Sequence, residues 1–362
     1  ALGVIPVRAL NDSREGRKGK NSGVWSSAIG SSSHSSSHSS LTSSVEGKTE
    51  KYAAVFPMVK RVIAIGDIHG DIDAFRSVLR NAGLISPNDE WSGGSSVLVQ
   101  VGDQLDRGDN EREILDLLFR LQGEAKENGG AVHVLLGNHE VMNVDSDFRY
   151  VTPRGFEDFS TVLPKDSINR ELRKVAGSNS AWADMIKNMP DWMRPRALAF
   201  RPGGPISSNL FTRAQVAVVV GDNVFVHGGL KPEHLPDGLD SIDKLNDECH
   251  GFLRGKREKP IVLRGGKGPL WMRNYSRPIP TEADCQMLFR TLERLNAKRM
   301  IVGHSVQKQG INSACGGRVW RVDTGMSSAY GGTPEALEIT PSRIRILTPK
   351  GPRSASTRVT RH

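Results

Sequence analysis

Three short β-branched or leucine-rich runs, residues 61–65, 97–101 and 132–136, each break off into a polar string opened by glycine. The strings are Gly66-Asp67-Ile68-His69-Gly70, Gly102-Asp103-Gln104-Leu105-Asp106-Arg107-Gly108 and Gly137-Asn138-His139-Glu140. Runs of this length and composition read as buried parallel strands. Between the first two, residues 73–81 place Ala74, Val78 and Leu79 on one helical face. Between the second and third, Ile114, Leu117, Leu118 and Leu121 repeat at helical spacing behind acidic residues suited to a helix start. Strand–helix–strand–helix–strand predicts an α/β sheet. In such sheets ligands gather at the carboxyl ends of the strands, where the three strings sit.

Residues 144–212 differ in texture, with helical fragments, prolines and scattered aromatic residues, and predict a mostly helical insertion. A β-rich half follows. Residues 217–220 and 224–226 flank Gly221-Asp222-Asn223 as a hairpin turn, and 299–302, 318–322, 336–339 and 343–347 are further strands. Residues 281–298 read as a helix, with Thr281 and Asp284 spaced as a capping box. The expected organisation is a disordered Ser-rich basic leader (1–55), a catalytic domain (56–348) and a disordered basic tail (349–362). The leader reads as an organelle transit peptide.

The net charge of +9 divides unevenly: +4 lies in residues 1–60, +4 in 349–362, and +1 in the body between them. The body therefore carries no charge excess that would point to nucleic acid. No run of about eighteen apolar residues is present, so no membrane span is expected. Cys249, Cys285 and Cys315 are odd in number and lack metal-site spacing, which argues against a disulfide framework and for a reducing compartment.

The strings hold residues of one chemical kind. Asp67 and His69 alternate across a turn, while Asp103 and Asn138 take the equivalent places after the next two strands. Two more glycine-flanked histidines follow strands: His227 in Val226-His227-Gly228-Gly229 and His304 in Val302-Gly303-His304-Ser305. These six nitrogen and oxygen donors, without sulfur, suit two divalent ions such as Mn, Fe or Zn, bridged by a carboxylate such as Asp103. Such a pair holds a bridging hydroxide and stabilises both ends of an in-line displacement at phosphorus. Arg107 is placed to clamp phosphate oxygens with two parallel hydrogen bonds. His139 is placed to protonate the departing oxygen, with Asp106 orienting its ring. His133 reads as a core or edge histidine, Asp109 and Glu111 as helix-start charges, and Glu140 as support.

Gly-Asp-Ile-His-Gly, Gly-Asp-Gln-Leu-Asp-Arg-Gly and Gly-Asn-His-Glu resemble the three signature motifs of the phosphoprotein phosphatase family of metallo-phosphoesterases, and the later His-Gly-Gly and Gly-His complete its set. The resemblance covers residues 60–347. It implies a central β-sandwich flanked by helices around a bimetal centre. Asp67, His69 and Asp103 resemble the ligands of one metal, and Asp103, Asn138, His227 and His304 those of the other. His139 is similar to the family's proton donor, Asp106 to its partner and Arg107 to one phosphate-binding arginine. In Pro269-Leu270-Trp271-Met272-Arg273, Trp-x-Arg resembles a bacterial-type second phosphate arginine, Arg273, with Arg264 and Arg277 as rivals.

Residues 137–144, then Asp147-Phe148-Arg149-Tyr150, resemble the Shewanella-like phosphatase branch, one plant group of which resides in the chloroplast. Asp323-Thr324-Gly325-Met326-Ser327-Ser328-Ala329-Tyr330 stands where better-known Ser/Thr phosphatases carry a Ser-Ala-Pro-Asn-Tyr string, so Tyr330 is not assigned a role. The expected activity is metal-dependent hydrolysis of phosphomonoesters on phosphoproteins, in the chloroplast or otherwise the cytoplasm. The alternatives are a dinucleoside polyphosphate hydrolase and a non-catalytic phosphoprotein-binding scaffold.

Overall fold

Strands that are apolar at every position need cover on both faces, and this chain provides it with a second sheet on one side and helices on the other. The computed structural model describes residues 53–177 and 181–354. Most of the leader and the end of the tail lie outside the described residues.

The first half runs β1 (Val55–Phe56), β2 (Val62–Ile65), α1 (Ile72–Asn81), β3 (Val97–Gln100), α2 (Glu111–Glu127), β4 (Ala131–Val134) and α3 (Asn138–Val144). A helical stretch follows, with α4 (Pro153–Asp158), α5 (Lys165–Ala176), α6 (Ala181–Asn188) and α7 (Arg194–Phe200). The second half opens with β5 (Ala217–Val220), β6 (Asn223–Val226), α8 (Asp240–Leu253) and α9 (Glu282–Arg294). It closes with β7 (Arg299–Val302), β8 (Asn312–Ala314), β9 (Val319–Arg321), β10 (Ala336–Ile339), β11 (Ile344–Leu347) and β12 (Arg353–Ser354).

Two six-stranded sheets result, in the orders β12-β11-β10-β2-β3-β4 and β1-β5-β6-β7-β9-β8. Strands β2, β3 and β4 are parallel, as are β6, β7 and β9, so each sheet presents three carboxyl ends side by side. Period-two alternation assigns the faces. Val62, Ala64, Val97 and Val99 pack in one cluster with Val218, Val220, Phe225, Ile301 and Trp320 of the other sheet, forming the sandwich interior. Ile63, Ile65, Leu98 and Val132 turn instead to Phe75, Leu79, Ile114 and Leu118 on α1 and α2. On the far side, Val224, Val226 and Met300 meet Ile242, Leu245, Leu288 and Leu292 on α8 and α9. The expected sandwich flanked by helices is therefore present, and the stretch expected as an insertion is helical. A small core of its own holds that stretch, with Phe148, Phe156, Ala183, Ile186 and Ala197.

The hairpin turn is tighter than expected, because Asn223 belongs to β6 and pairs with Val220. Thr281 caps α9, accepting from Asp284 N at 3.2 Å while Asp284 Oδ2 accepts from Thr281 N at 2.9 Å. The last sheet runs into the stretch expected as a disordered tail, since Ile346 pairs with Arg353 and Arg345 with Ser354.

One expectation is overturned. Cys285 on α9 and Cys315, in the turn before β9, form a disulfide with Cα atoms 5.3 Å apart, leaving Cys249 free and buried. An odd count requires only that one thiol be left over. The fold closes the 30-residue separation by laying α9 against the sheet. The case for a reducing compartment falls with it, because disulfides persist in oxidising ones. No helix among the described residues is long and apolar enough to cross a membrane.

Candidate active site

Six strand ends converge. Asp67 and His69 follow β2, Asp103 follows β3, and Asn138 begins α3 after β4; from the facing sheet, His227 follows β6, His304 follows β7 and Asp323 follows β9. The loops bend abruptly to aim these side chains. His69, Asp103, Asp106, Arg107 and His304 all take positive φ, between 50° and 70°. Residues other than glycine adopt that region at a cost, and such strain concentrates at functional sites.

Backbone contacts fix the loops to one another. Ile68 N and His69 N both donate to Asp103 O, at 2.9 and 3.0 Å. Glu140 accepts from four backbone N–H groups: Asp103 and Gln104 at 2.9 Å, Leu105 at 3.2 Å and Gly137 at 2.6 Å. One buried carboxylate thus joins the second and third strings. Two of the glycines are required by close approach: a Cβ at Gly137 would overlap Asp103 Oδ1, and one at Gly303 would overlap Asp67 Oδ1.

Asp103 stands at the middle. Its Oδ2 lies 3.2 Å from His227 Nε2, 3.8 Å from His69 Nε2 and 3.9 Å from His139 Nε2. Donor atoms of Asp103, His227 and His304 lie within 4.8 Å of one another, and so do those of His69, Asp103 and His139. Asn138 Oδ1 is 3.0 Å from His227 Nε2, and Asp67 Oδ1 is 4.0 Å from His227 Nδ1. Backbone carbonyls orient the rings. Leu105 O is 3.0 Å from His69 Nδ1, Val101 O is 2.8 Å from His227 Nδ1 and Trp271 O is 3.1 Å from His304 Nε2. A carbonyl can only accept, so each of these nitrogens carries a proton, and in His69 and His304 the opposite nitrogen keeps its lone pair, whereas His227 Nε2 faces Asp103 Oδ2 and Asn138 Oδ1.

The protonation balance of the cluster fits cations. Burial, then the Asp323 and Asp103 carboxylates, raise the Asp67 carboxyl well above the usual range. Burial likewise pushes Asp323 up to about 6. Burial also opposes ionisation of Asp103, but His227 and His139 hold its carboxyl well below the usual range. Desolvation pulls His69 down to about 4 and His304 to about 2, so both rings keep free lone pairs. Burial opposes a charge on His227 as well, but Asp103 raises its pKa, so without a cation in the cluster a protonated ring answers the Asp103 charge. Buried carboxyl groups beside the neutral His69 and His304 rings form a donor set suited to divalent ions.

Beside the cluster, His139 Nδ1 lies 2.5 Å from Asp106 Oδ2. Burial works against a charged His139 ring, yet Asp103 and Asp106 raise its pKa. Arg107 packs its guanidinium 4.3 Å over the Tyr150 ring and 5.2 Å from that of Tyr330, with Nε buried and lacking a hydrogen-bond partner among the described residues. Arg273 Nη1 donates to His304 O at 2.6 Å and Ser305 Oγ at 2.8 Å, which holds it at the cluster's edge. Its rivals are engaged elsewhere. Arg277 faces Asp284 at 3.5 Å, and Arg264 donates to Lys259 O at 2.6 Å.

Sequence reasoning left Tyr330 without a role and passed over Asp323 and Tyr150. Asp323 had a signal, for Val322-Asp323-Thr324-Gly325 repeats the apolar-run-then-Asp pattern of the other loops. Tyr150 had none, because nothing local ties its ring to Arg107, and the departure of the 323–330 string from the family pattern hid the part of Tyr330. His133 lies apart on β4, its ring 4.3 Å from that of Phe56. Asp109 accepts from Thr152 Oγ1 at 2.7 Å at the surface. Glu111, expected as a helix-start charge, is fully buried against Arg196.

A two-sheet sandwich with this donor cluster at its strand ends defines a metallophosphoesterase. Residues 60–308 match the calcineurin-like phosphoesterase family. The chain is 39% identical to Shewanella-like protein phosphatase 2 of Arabidopsis thaliana over 310 residues, 81% of this chain and 78% of that protein. It is 30% identical to Shewanella-like protein phosphatase 1 of Plasmodium berghei, over 79% and 74% of the two chains. Its fold is similar to that of the cold-active protein-tyrosine phosphatase of a psychrophilic Shewanella, with a TM-score of 0.62, 23% identity and coverage of 84% and 83%. The chain belongs to the calcineurin-like phosphoesterase family, in its Shewanella-like phosphatase branch.

Proposed function

We propose that this protein is a metal-dependent protein phosphatase that hydrolyses phosphomonoesters on phosphoproteins. Relatives named protein phosphatases support the substrate class. The observation that carries the chemistry is the joint placement of Asp103, the His139–Asp106 pair and Arg107, whose Nε lacks a partner among the described residues, at one set of strand ends. Asp67, His69 and Asp103 would hold one divalent ion, and Asp103, Asn138, His227 and His304 the second, with Mn, Fe and Zn all suited to such donors. When bound, the ions supply Lewis-acid charge to the phosphoryl group and lower the pKa of water.

The chain's own residues supply the rest. Arg107 and Arg273 grip phosphoryl oxygens, and the Tyr150 and Tyr330 rings pack against the Arg107 guanidinium. His139 delivers its Nε2 proton to the departing oxygen, while Asp106 holds the ring from behind. An organelle destination, the chloroplast in the reading above, is supported by the leader's composition alone. Imaging the full chain fused to a fluorescent protein tests it.

The enzymatic test is phosphopeptide hydrolysis by purified Asp103→Asn and His139→Ala. Each is expected to lose about 100-fold or more in kcat. Wild-type turnover by either variant contradicts the assignment.

A further inference from the structure

A buried arginine outside the phosphate-binding set reaches the proton donor from behind. Arg196 lies on α7 in the helical insertion, with no side-chain exposure, and its guanidinium is ringed by Phe148, Phe156, Phe159 and Phe200. Removing that charge from water is costly, and packing the insertion onto the body does not require it. Each of its nitrogens has a polar partner. Nε donates to Asn143 Oδ1 at 2.9 Å, Nη1 donates to Glu111 Oε2 and to Gly155 O at 2.7 Å, and Nη2 donates to Glu111 Oε1 at 3.1 Å. Nη2 also lies 3.8 Å from Asp106 Oδ1.

The direction of these bonds is set by chemistry. A guanidinium nitrogen can only donate, so Asn143 must present its oxygen to Arg196. Its amide nitrogen is then left to donate to Asp106 Oδ1 at 2.9 Å, and it donates to His139 O at the same distance. With Oδ1 occupied, Asp106 Oδ2 receives His139 Nδ1–H. His139 Nε2 is thereby turned toward Asp103 and the reacting centre. Glu111, gripped by the same guanidinium, accepts from Asp106 N at 2.5 Å and pins a backbone at φ 68°. Both the backbone and the side chain of Asp106 are therefore held by groups that Arg196 holds.

We propose that Arg196 is a positioning residue for the His139 proton donor, acting through Asn143, Glu111 and Asp106, so that the insertion forms part of the catalytic apparatus. The inference rests on the phosphatase reading in which His139 protonates the leaving oxygen. A structural tie alone would affect all substrates equally, whereas a proton-donor defect depends on the leaving group. Phenyl phosphate needs a proton on its departing oxygen far more than p-nitrophenyl phosphate does.

The test is kcat and KM for both esters with the metal-loaded wild type, Arg196→Lys and Asn143→Ala. Arg196→Lys keeps the charge but loses the planar set of donors. Asn143→Ala removes the link with less disturbance of the core and serves if the first variant does not fold. The expected result is a loss of about tenfold or more in kcat for phenyl phosphate, less than about threefold for p-nitrophenyl phosphate, and little change in KM. Equal losses on the two esters, or none, overturn the inference. Wild type that hydrolyses both esters but no phosphopeptide overturns the protein-substrate reading and leaves the Arg196 result to be judged on the esters. Wild type that hydrolyses neither overturns both.

Discussion

Arg107 shows how one residue is prepared for a ligand that the chain cannot replace. Its backbone sits at φ 70°, its guanidinium lies against two tyrosine rings, and its Nε has no hydrogen-bond partner among the described residues. A lysine keeps the charge but loses the planar pair of donors and the stacking. Arg107→Lys is therefore expected to lower kcat/KM on phosphopeptides about tenfold or more, roughly 1.4 kcal/mol of transition-state stabilisation. Steady-state kinetics that leave kcat/KM unchanged would remove Arg107 from the site. At this scale the sequence was most legible where a residue's duty is local. Asp67, His69, Asp103, Asn138 and His139 each follow a strand and a glycine, so their position in the string specified their position in space. Arg196 and Asp323 act on partners far away in the chain. Arg196 contacts Glu111 across 85 residues, and no window of sequence contains both.

Elements carry the site by their ends, and α1 is the clearest case. Asp71 caps it, accepting from Ala74 N at 2.9 Å, and its other oxygen accepts from Ser328 N at 2.7 Å on the loop after β9. Burial opposes ionisation, but these N–H donors lower the Asp71 carboxyl below its usual value. A depressed folded-state pKa adds stability above the unfolded value of about 3.9 and loses it as pH falls through the folded one. Asp71→Ala is expected to cost about 1 kcal/mol at neutral pH. The difference in Tm between variant and wild type should shrink as the pH drops below about 4. A difference that stays constant or widens in acid contradicts that account.

The disulfide between α9 and the turn before β9 belongs to the same scale. Cys285→Ser is expected to lower stability by about 2–4 kcal/mol, measured by denaturant unfolding, and an unchanged midpoint contradicts a stabilising role. Cysteine counting could not foresee this bond, because parity carries no information about which elements pack together. Helix α8 was missed for another reason: it lies among strands, although Ile242, Leu245, Cys249 and Phe252 repeat at helical spacing and are buried. The edge strands β1 and β12, two residues each, are too short to show any period.

For the molecule as a whole, the sandwich works as a device for bringing two sets of strand ends to one place. The parallel trio β2, β3 and β4 supplies Asp67, His69, Asp103 and Asn138, and the trio β6, β7 and β9 supplies His227, His304 and Asp323. The apolar runs showed each trio, but that the two sheets face each other was implied only by the family resemblance. That follows from Val62, Ala64, Val97 and Val99 packing on Phe225, Ile301 and Trp320, a match between inner faces that single strands do not reveal. The central claim is that these ends form one dinuclear centre with Asp103 shared by both ions. The direct measurement is metal content and calorimetric titration with Mn(II) of chelator-stripped wild type and Asp103→Asn, with hydrolysis followed in parallel. The account predicts two ions per chain in the wild type, recovery of activity as they bind, and weakened binding at both positions in the variant. A single ion at saturation, or full hydrolysis after complete stripping, contradicts it.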